Sequence, residues 1–261
     1  MQKNHNLLWI REKSSNICVG KCSPHFLDCL LGSLPDSVRA FFGDNVIPKK
    51  LHIVWVGDES KRPDNCINTW RTHNPDWDIK VWGNADLANN AWRNARHIQD
   101  MWKHELCGVA DLMRYEILYE HGGFAVDADS VCVKPLPDWL LEADEFTCWE
   151  SEHERLGLLA IGYLAAQKAS PFIGQIIEDI YADKTVVDRP AWQSTGPARL
   201  TEIWQRFKYG LTIYPSHYFI PRHFAGAEYK GTGHVFAKQF WGSTHGIYDS
   251  LYMSEAIDER E

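Results

Sequence analysis

Apolar positions change their spacing several times along the chain, and each change marks an element. Residues 26–43, FLDCLLGSLPDSVRAFFG, carry Leu27, Leu30, Leu31, Leu34, Val38, Phe41 and Phe42 at helical spacing. Pro35 close to Ser33 marks a fresh helix start. The stripe predicts helix packed on a larger domain. Its polar face has little Lys or Arg to hold it at a membrane, which leaves weak peripheral association as the lesser alternative. The period then shortens. In IPKKLHIVWVG, Pro48 opens a strand over 51–56 and Gly57 closes it. NCINTWRTHNP reads as a helix ending before Pro75, and WDIKVWG as a second strand. In GVADLMRYEILYEHGG, Val109, Leu112, Met113, Ile117 and Leu118 return to helical spacing, and Gly122 fits a left-handed C-cap. FAVD follows as a four-residue strand. Alternating helix and strand imply a layered α/β fold with a mostly parallel central sheet over 46–261. Residues 1–45 form a short helical N-terminal extension to it.

Asp127 and Asp129 sit at or just past the end of the FAVD strand. Ligands of open α/β sheets bind outside the carboxyl ends of strands. Buried carboxylates must be paired, hydrogen-bonded or bound to a metal. Asp111 and Arg114, three apart, share a face of the preceding helix. If the Gly122–Gly123 turn folds that helix beside the strand, the acids and the Asp/Arg pair converge on one crevice. The alternative is an exposed intrahelical salt bridge, worth little.

Composition narrows the field. The chain has 261 residues, 44% hydrophobic and 24% charged, which is ordinary for a soluble globular protein. Its net charge of −8 argues against a general nucleic-acid binder, whose affinity comes from Lys and Arg on phosphates. No apolar run reaches the length of a membrane span, and the first residues lack the apolar core of a secretion signal. Seven widely spread cysteines suggest free thiols and a reducing, cytoplasmic setting. Cys18, Cys22, His25 and Cys29 cluster in CVGKCSPHFLDC, either as a zinc site or as buried helical turns. Twelve tryptophans suit carbohydrate chemistry, because indole stacks on the apolar faces of sugars, and they also fill cores.

VADLMRYEILYEHGGFAVDAD resembles the sugar-binding region of the glycosyltransferases with a DXD motif. That family takes in fungal initiating α-1,6-mannosyltransferases, bacterial capsular polysaccharide transferases and, distantly, the glucosylating domain of large clostridial toxins. The signature falls on Ala110, Asp111, Arg114, Gly122, Gly123, Asp127 and Asp129. IPKKLHIVWVG resembles the family's first strand, STGP at 194–197 a later segment, and FWGST its C-terminal motif. The resemblance covers about 47–250.

It implies a single GT-A-like domain. A nucleotide-sugar donor would give up a hexose, with retention, to a saccharide or glycolipid acceptor in surface polysaccharide synthesis. Catalysis would rest on Asp127, Asp129 and Arg114. The two aspartates would bind Mn²⁺ or Mg²⁺ on the donor diphosphate. Asp111 and Arg114 would hold the donor sugar, and Trp55 would stack on the nucleobase beside the backbone of Val54. Ser243 and Trp241 would contact phosphate, unless Trp241 is core. Ala125 stands where many relatives have an aromatic residue. Gln239 stands where relatives have a metal-reaching His, with His245 just downstream, so the third ligand falls to one or the other. The resemblance further implies work at the inner face of a membrane, or alternatively a secreted effector acting on a host protein. A phosphohydrolase of the haloacid dehalogenase type also places D-x-D after an apolar strand. It needs a later acidic pair, and the chain has no Asp-Asp. A sugar-nucleotide-binding module without turnover is a further rival.

Overall fold

A computed structural model describes residues 8–12, 15–19 and 46–251. The chain divides into two compact units, Met1–Asn45 and Val46–Glu261. In the first, β1 (Leu8–Glu12) and β2 (Ser15–Val19) pair antiparallel, with Leu8 opposite Val19. This described part of the extension is strand, where the sequence suggested helix. The helix expected over 26–43 lies outside the described residues, as do Cys22, His25 and Cys29 of the candidate zinc cluster. Cys18 lies in β2.

The second unit opens with β3 (Lys50–Val54). There follow α1 (Asp64–His73), β4 (Asp78–Trp82), α2 (Asn84–Asn89), α3 (Ala95–Trp102) and α4 (Leu106–His121). Next come β5 (Gly123–Val126), β6 (Ser130–Cys132), β7 (Glu145–Ser151), β8 (Arg155–Leu159), β9 (Tyr163–Ala166) and α5 (Pro171–Ala182). The last elements are α6 (Ala191–Ser194), α7 (Pro197–Phe207), β10 (Thr212–Tyr214), β11 (Ala237–Gln239), α8 (Gly242–His245) and α9 (Tyr248–Leu251). Among the described residues no helix is long and apolar enough to cross a membrane.

The central sheet runs β10-β7-β9-β5-β3-β4, with β8 on the side of β7. β4, β3, β5, β7 and β10 all point one way; β9 and β8 run against them. The sheet is therefore mostly parallel, as the alternating pattern predicted. Alternation along β3 divides the core. Leu51 and Ile53 join Ile67, Trp70, Phe124, Phe146 and Phe219 on one face. Val54 joins Trp82, Leu112, Met113, Phe172 and Ile173 on the other. α4 lies in that second layer. It buries Val109, Leu112, Met113, Tyr115, Ile117 and Leu118, and also Asp111 and Arg114.

The turn from α4 into β5 needs its two glycines. Gly122 has φ +63° and ψ −178°, so φ is positive as the sequence suggested, but ψ is extended and leads directly into the strand. Gly123 follows at φ +113°. A Cβ on Gly122 would stand 2.6 Å from the Lys168 nitrogen, and one on Gly123 2.5 Å from the Lys50 carbonyl. Both contacts are with backbone, which cannot swing aside. Gly157, on β8 at φ +77°, has nothing within 4 Å of its would-be Cβ. Gly123→Ala is thus expected to lower stability by more than the roughly 1–3 kcal/mol of backbone strain alone. Gly157→Ala should stay within that range. Urea denaturation midpoints of the two variants against wild type check the order.

Candidate active site

β3, β5 and β7 end on the same side of the sheet, and a cleft of about 610 Å³ opens there. That size suits a small-molecule ligand. Val54 and Trp55 line it from the end of β3, Asp127 and Asp129 from the end of β5, and Asp111 and Arg114 from α4. Arg114 is the tie between helix and strand. One guanidinium nitrogen donates to Asp127 Oδ1. The other donates to the Ile161 carbonyl at 2.9 Å and lies 3.5 Å from Asp111 Oδ1. Asp111 Oδ2 accepts from the Thr195 hydroxyl at 3.3 Å. Arg114 and Asp111 are both buried. The helix pair and the strand acids therefore do converge, and the exposed salt bridge is excluded.

Asp129 is also buried. Its Oδ2 accepts from the Gly242 backbone N–H at 2.5 Å and its Oδ1 from Gln239 Nε2 at 3.0 Å. β6 pairs antiparallel with β11, setting Ser130 opposite Gln239, and this register brings Gln239 to the acids. Gln239 Nε2 also lies 3.3 Å from Asp127 Oδ2, while its Oε1 accepts from Tyr163 at 2.9 Å. Gln239 thus reaches the acidic pair by its donor end; its oxygen, the end a metal would need, is held by Tyr163. His245 is exposed on α8 and does not line the cleft, although Ser243 and Thr244 just before it do. Neither residue supplies a third metal ligand in this arrangement.

Trp55 is half-buried at the cleft wall, where its ring meets Tyr248 edge-on at 5.0 Å. Trp241 and Ser243 also line the cleft; Trp241 packs edge-on against His223 and Phe224, and Ser243 bonds Tyr248 at 3.0 Å. Ala125 points into the core and is not a lining residue. Thr195, Gly162 and Tyr163 were not foreseen. The STGP segment signalled Thr195 only as part of a stretch. Gly162 leaves room for Asp127: a Cβ there would stand 2.3 Å from Asp127 Oδ2.

Two carboxylates, Asp127 and Asp111, share the Arg114 guanidinium, and a third, Asp129, lies beside them on Gly242 and Gln239. Burial pushes the Asp111 carboxyl up to about 7, against the pull of Arg114, with the Asp127 charge adding to the rise. Burial and then the charge of Asp127 push Asp129 up to about 6. Arg114 is held above its usual value: burial opposes its charge, and the flanking Asp127 and Asp111 outweigh it. Its Nε is buried with no hydrogen-bond partner among the described residues. The donor set is all hard oxygen with surplus negative charge, which fits Mg²⁺ or Mn²⁺ at Asp127 and Asp129. Among the described residues no group of three or more His, Cys, Asp and Glu gathers at one point. Further ligands would have to come from substrate and water.

The mostly parallel α/β sheet with its acidic pair at the carboxyl end of a central strand is a fold shared with GT-A-type glycosyltransferase domains. Residues 60–146 match the family model for the glycosyltransferase sugar-binding region containing a DXD motif. Inositol phosphoceramide mannosyltransferase 2 of Schizosaccharomyces pombe is 23% identical over 219 residues, which are 80% of this chain and 61% of that one. Inositol phosphoceramide mannosyltransferase 1 of the same yeast is 27% identical over 79% of this chain and 65% of its own length. The chain therefore spans a little under two thirds of these relatives. Among solved structures, the PaToxG glycosyltransferase superposes with a TM-score of 0.50 at 15% identity, covering 62% of this chain and 70% of that one. That likeness is one of fold.

An acid whose pKa is raised on folding stabilises the protein below its unfolded value. It loses that contribution as pH rises through the folded value. For Asp129 the window runs from about 4 to about 6. The metal-free Asp129→Asn variant should gain melting temperature relative to wild type across this window and hold a constant lead above it. Paired melting curves from pH 4 to 8 in chelator measure the difference.

Proposed function

We propose that this protein is a metal-dependent retaining glycosyltransferase that moves a hexose from a nucleotide-sugar donor to a saccharide or glycolipid acceptor. The observation that carries the reading is the convergence of Asp111, Arg114, Asp127 and Asp129 on one cleft. In this reading Trp55 stacks on the base beside the Val54 backbone, and the diphosphate extends toward Asp127 and Asp129. Bound there, Mn²⁺ or Mg²⁺ would neutralise the charge that collects on the departing diphosphate. Arg114 presents a fixed fork to the donor sugar or phosphate. Asp111 fixes that fork and offers a carboxylate to the sugar's hydroxyls. Ser243 and Trp241 close over the phosphates. As the bond between the anomeric carbon and phosphate oxygen breaks, that carbon gains positive character, and the carboxylates around it favour the charge.

The yeast relatives' names make mannose and inositol phosphoceramide the first donor sugar and acceptor to try. A second acceptor class, a host protein, is favoured by one observation. The subversion of eukaryotic traffic protein A of Legionella pneumophila is 25% identical over 118 residues, which cover 35% of this chain and 18% of that one.

Purified protein incubated with a panel of nucleotide sugars should hydrolyse at least one in Mn²⁺, stop in excess chelator and recover on adding Mn²⁺. Turnover unaffected by chelation would remove the metal. Donor binding with no hydrolysis or transfer from any donor would leave a non-catalytic module instead. The anomeric configuration of the product, read by NMR, tests retention.

Arg114→Lys keeps the charge and loses the planar fork. It should lower kcat/KM at least tenfold, about 1.4 kcal/mol of transition-state stabilisation. Wild-type kinetics in this variant would show that Arg114 only braces the fold.

A further inference from the structure

The strand order gives the cleft a length and a direction. β3 and β5 are neighbours, whereas β9 separates β5 from β7. With about 4.8 Å between adjacent strands, the end of β7 stands about 10 Å beyond the acidic turn, on the side away from Trp55. A nucleoside diphosphate laid from Trp55 to Asp127 leaves that end free. Its lining differs from the rest of the cleft. Glu150, on β7, has a side chain only 6% exposed. Arg155 Nη1 donates to Glu150 Oε1 at 3.0 Å, and His223 Nε2 lies 3.3 Å from the same oxygen. Oε2 takes no hydrogen bond from any described residue and is not shut off from the open cleft. Such an acceptor, held at its other oxygen by two cationic or hydrogen-bonding neighbours, is fixed in place and has one oxygen to offer a ligand hydroxyl. Around it are two aromatic side chains with exposed surface: Trp192, 39% exposed with the Arg155 guanidinium 4.5 Å from its ring, and Phe224, 38% exposed against His223 and Trp241.

We infer that the β7 end of the cleft is the acceptor subsite, which takes a polyhydroxylated six-membered ring. One ring hydroxyl donates to Glu150 Oε2, and the ring's apolar C–H face lies on Trp192 or Phe224. A pyranose and a cyclitol share this chemistry. The inference rests on the donor orientation proposed above. Glu150 acts by binding and orienting the acceptor hydroxyl and is not required to hold nucleotide.

Ligand binding separates the two halves. Saturation-transfer NMR is run on the full chain with Mn²⁺ and GDP or UDP present. The probes are the methyl α-pyranosides of mannose, glucose and galactose, and myo-inositol. Wild type is expected to bind at least one ring, and a pyranoside or inositol preference then tells a saccharide acceptor from a cyclitol head group. Glu150→Gln should weaken that binding at least tenfold and keep the nucleoside-diphosphate Kd within twofold. Trp192→Ala and Phe224→Ala, at exposed positions that leave the Glu150 carboxylate intact, should weaken it as well and so serve if Glu150→Gln folds poorly. Failure of every ring to bind wild type, or equal ring binding in all three variants, overturns the subsite. Loss of nucleoside-diphosphate binding in a folded Glu150→Gln overturns the division of the cleft. If wild type binds a ring through Glu150 and binds neither nucleotide, the donor reading fails and the subsite stands.

Discussion

A guanidinium buried between two carboxylates holds this cleft together. Arg114 reaches from α4 to Asp127 at the end of β5 and keeps Asp111 beside it. Taking such charges out of water is costly, and mutual attraction repays it only with good geometry and further hydrogen bonds. Ile161 and Thr195 provide those. The arrangement exists only because Gly122 and Gly123 reverse the chain in a space that admits no Cβ. The glycine pair, the buried arginine and the acidic turn therefore form one device: the turn aligns helix and strand, and the ion pair fixes the alignment.

That device leaves charge in surplus. One cation lies between two of three neighbouring carboxylates, and burial together with the Asp127 charge pushes Asp111 and Asp129 upward. Such a site is least comfortable empty and fully ionised. The same imbalance weakens the fold at neutral pH and, in the function proposed above, suits the cleft to a divalent cation with its anionic cargo. Stability and ligand affinity oppose one another at the same atoms.

Much of this was legible in the sequence because it is local. The spacing of Asp111 and Arg114 on one helix, the double glycine, and D-x-D at the end of an apolar strand all lie within nineteen residues of one another. The alternation of strand and helix likewise gave the layered, mostly parallel fold. What pattern could not give was register between distant segments. Gln239 was read as a metal ligand through its oxygen, but which end of its amide faces the acids depends on Tyr163, a residue 76 positions away. His245 looked equivalent on paper, yet it stands exposed on α8 while its neighbours Ser243 and Thr244 line the cleft. Glu150, Arg155 and His223 come together only through the β7–β8 pair and a loop some seventy residues later, so no motif announced them.

The pairing of β6 with β11 also sets an order of events in time. Asp129 is satisfied by Gly242 across 113 positions and by Gln239 across 110. On a ribosome, where the chain emerges from its amino end, the helix, the glycine turn and the acidic strand are available long before those partners exist. The nascent domain must therefore hold an acid half-finished, open to water, until the FWGST segment arrives to close it. The loop that closes is long, and its entropy must be met before the last contacts reward it. A chain that ended before FWGST would carry the motif without the Gly242 contact that completes Asp129.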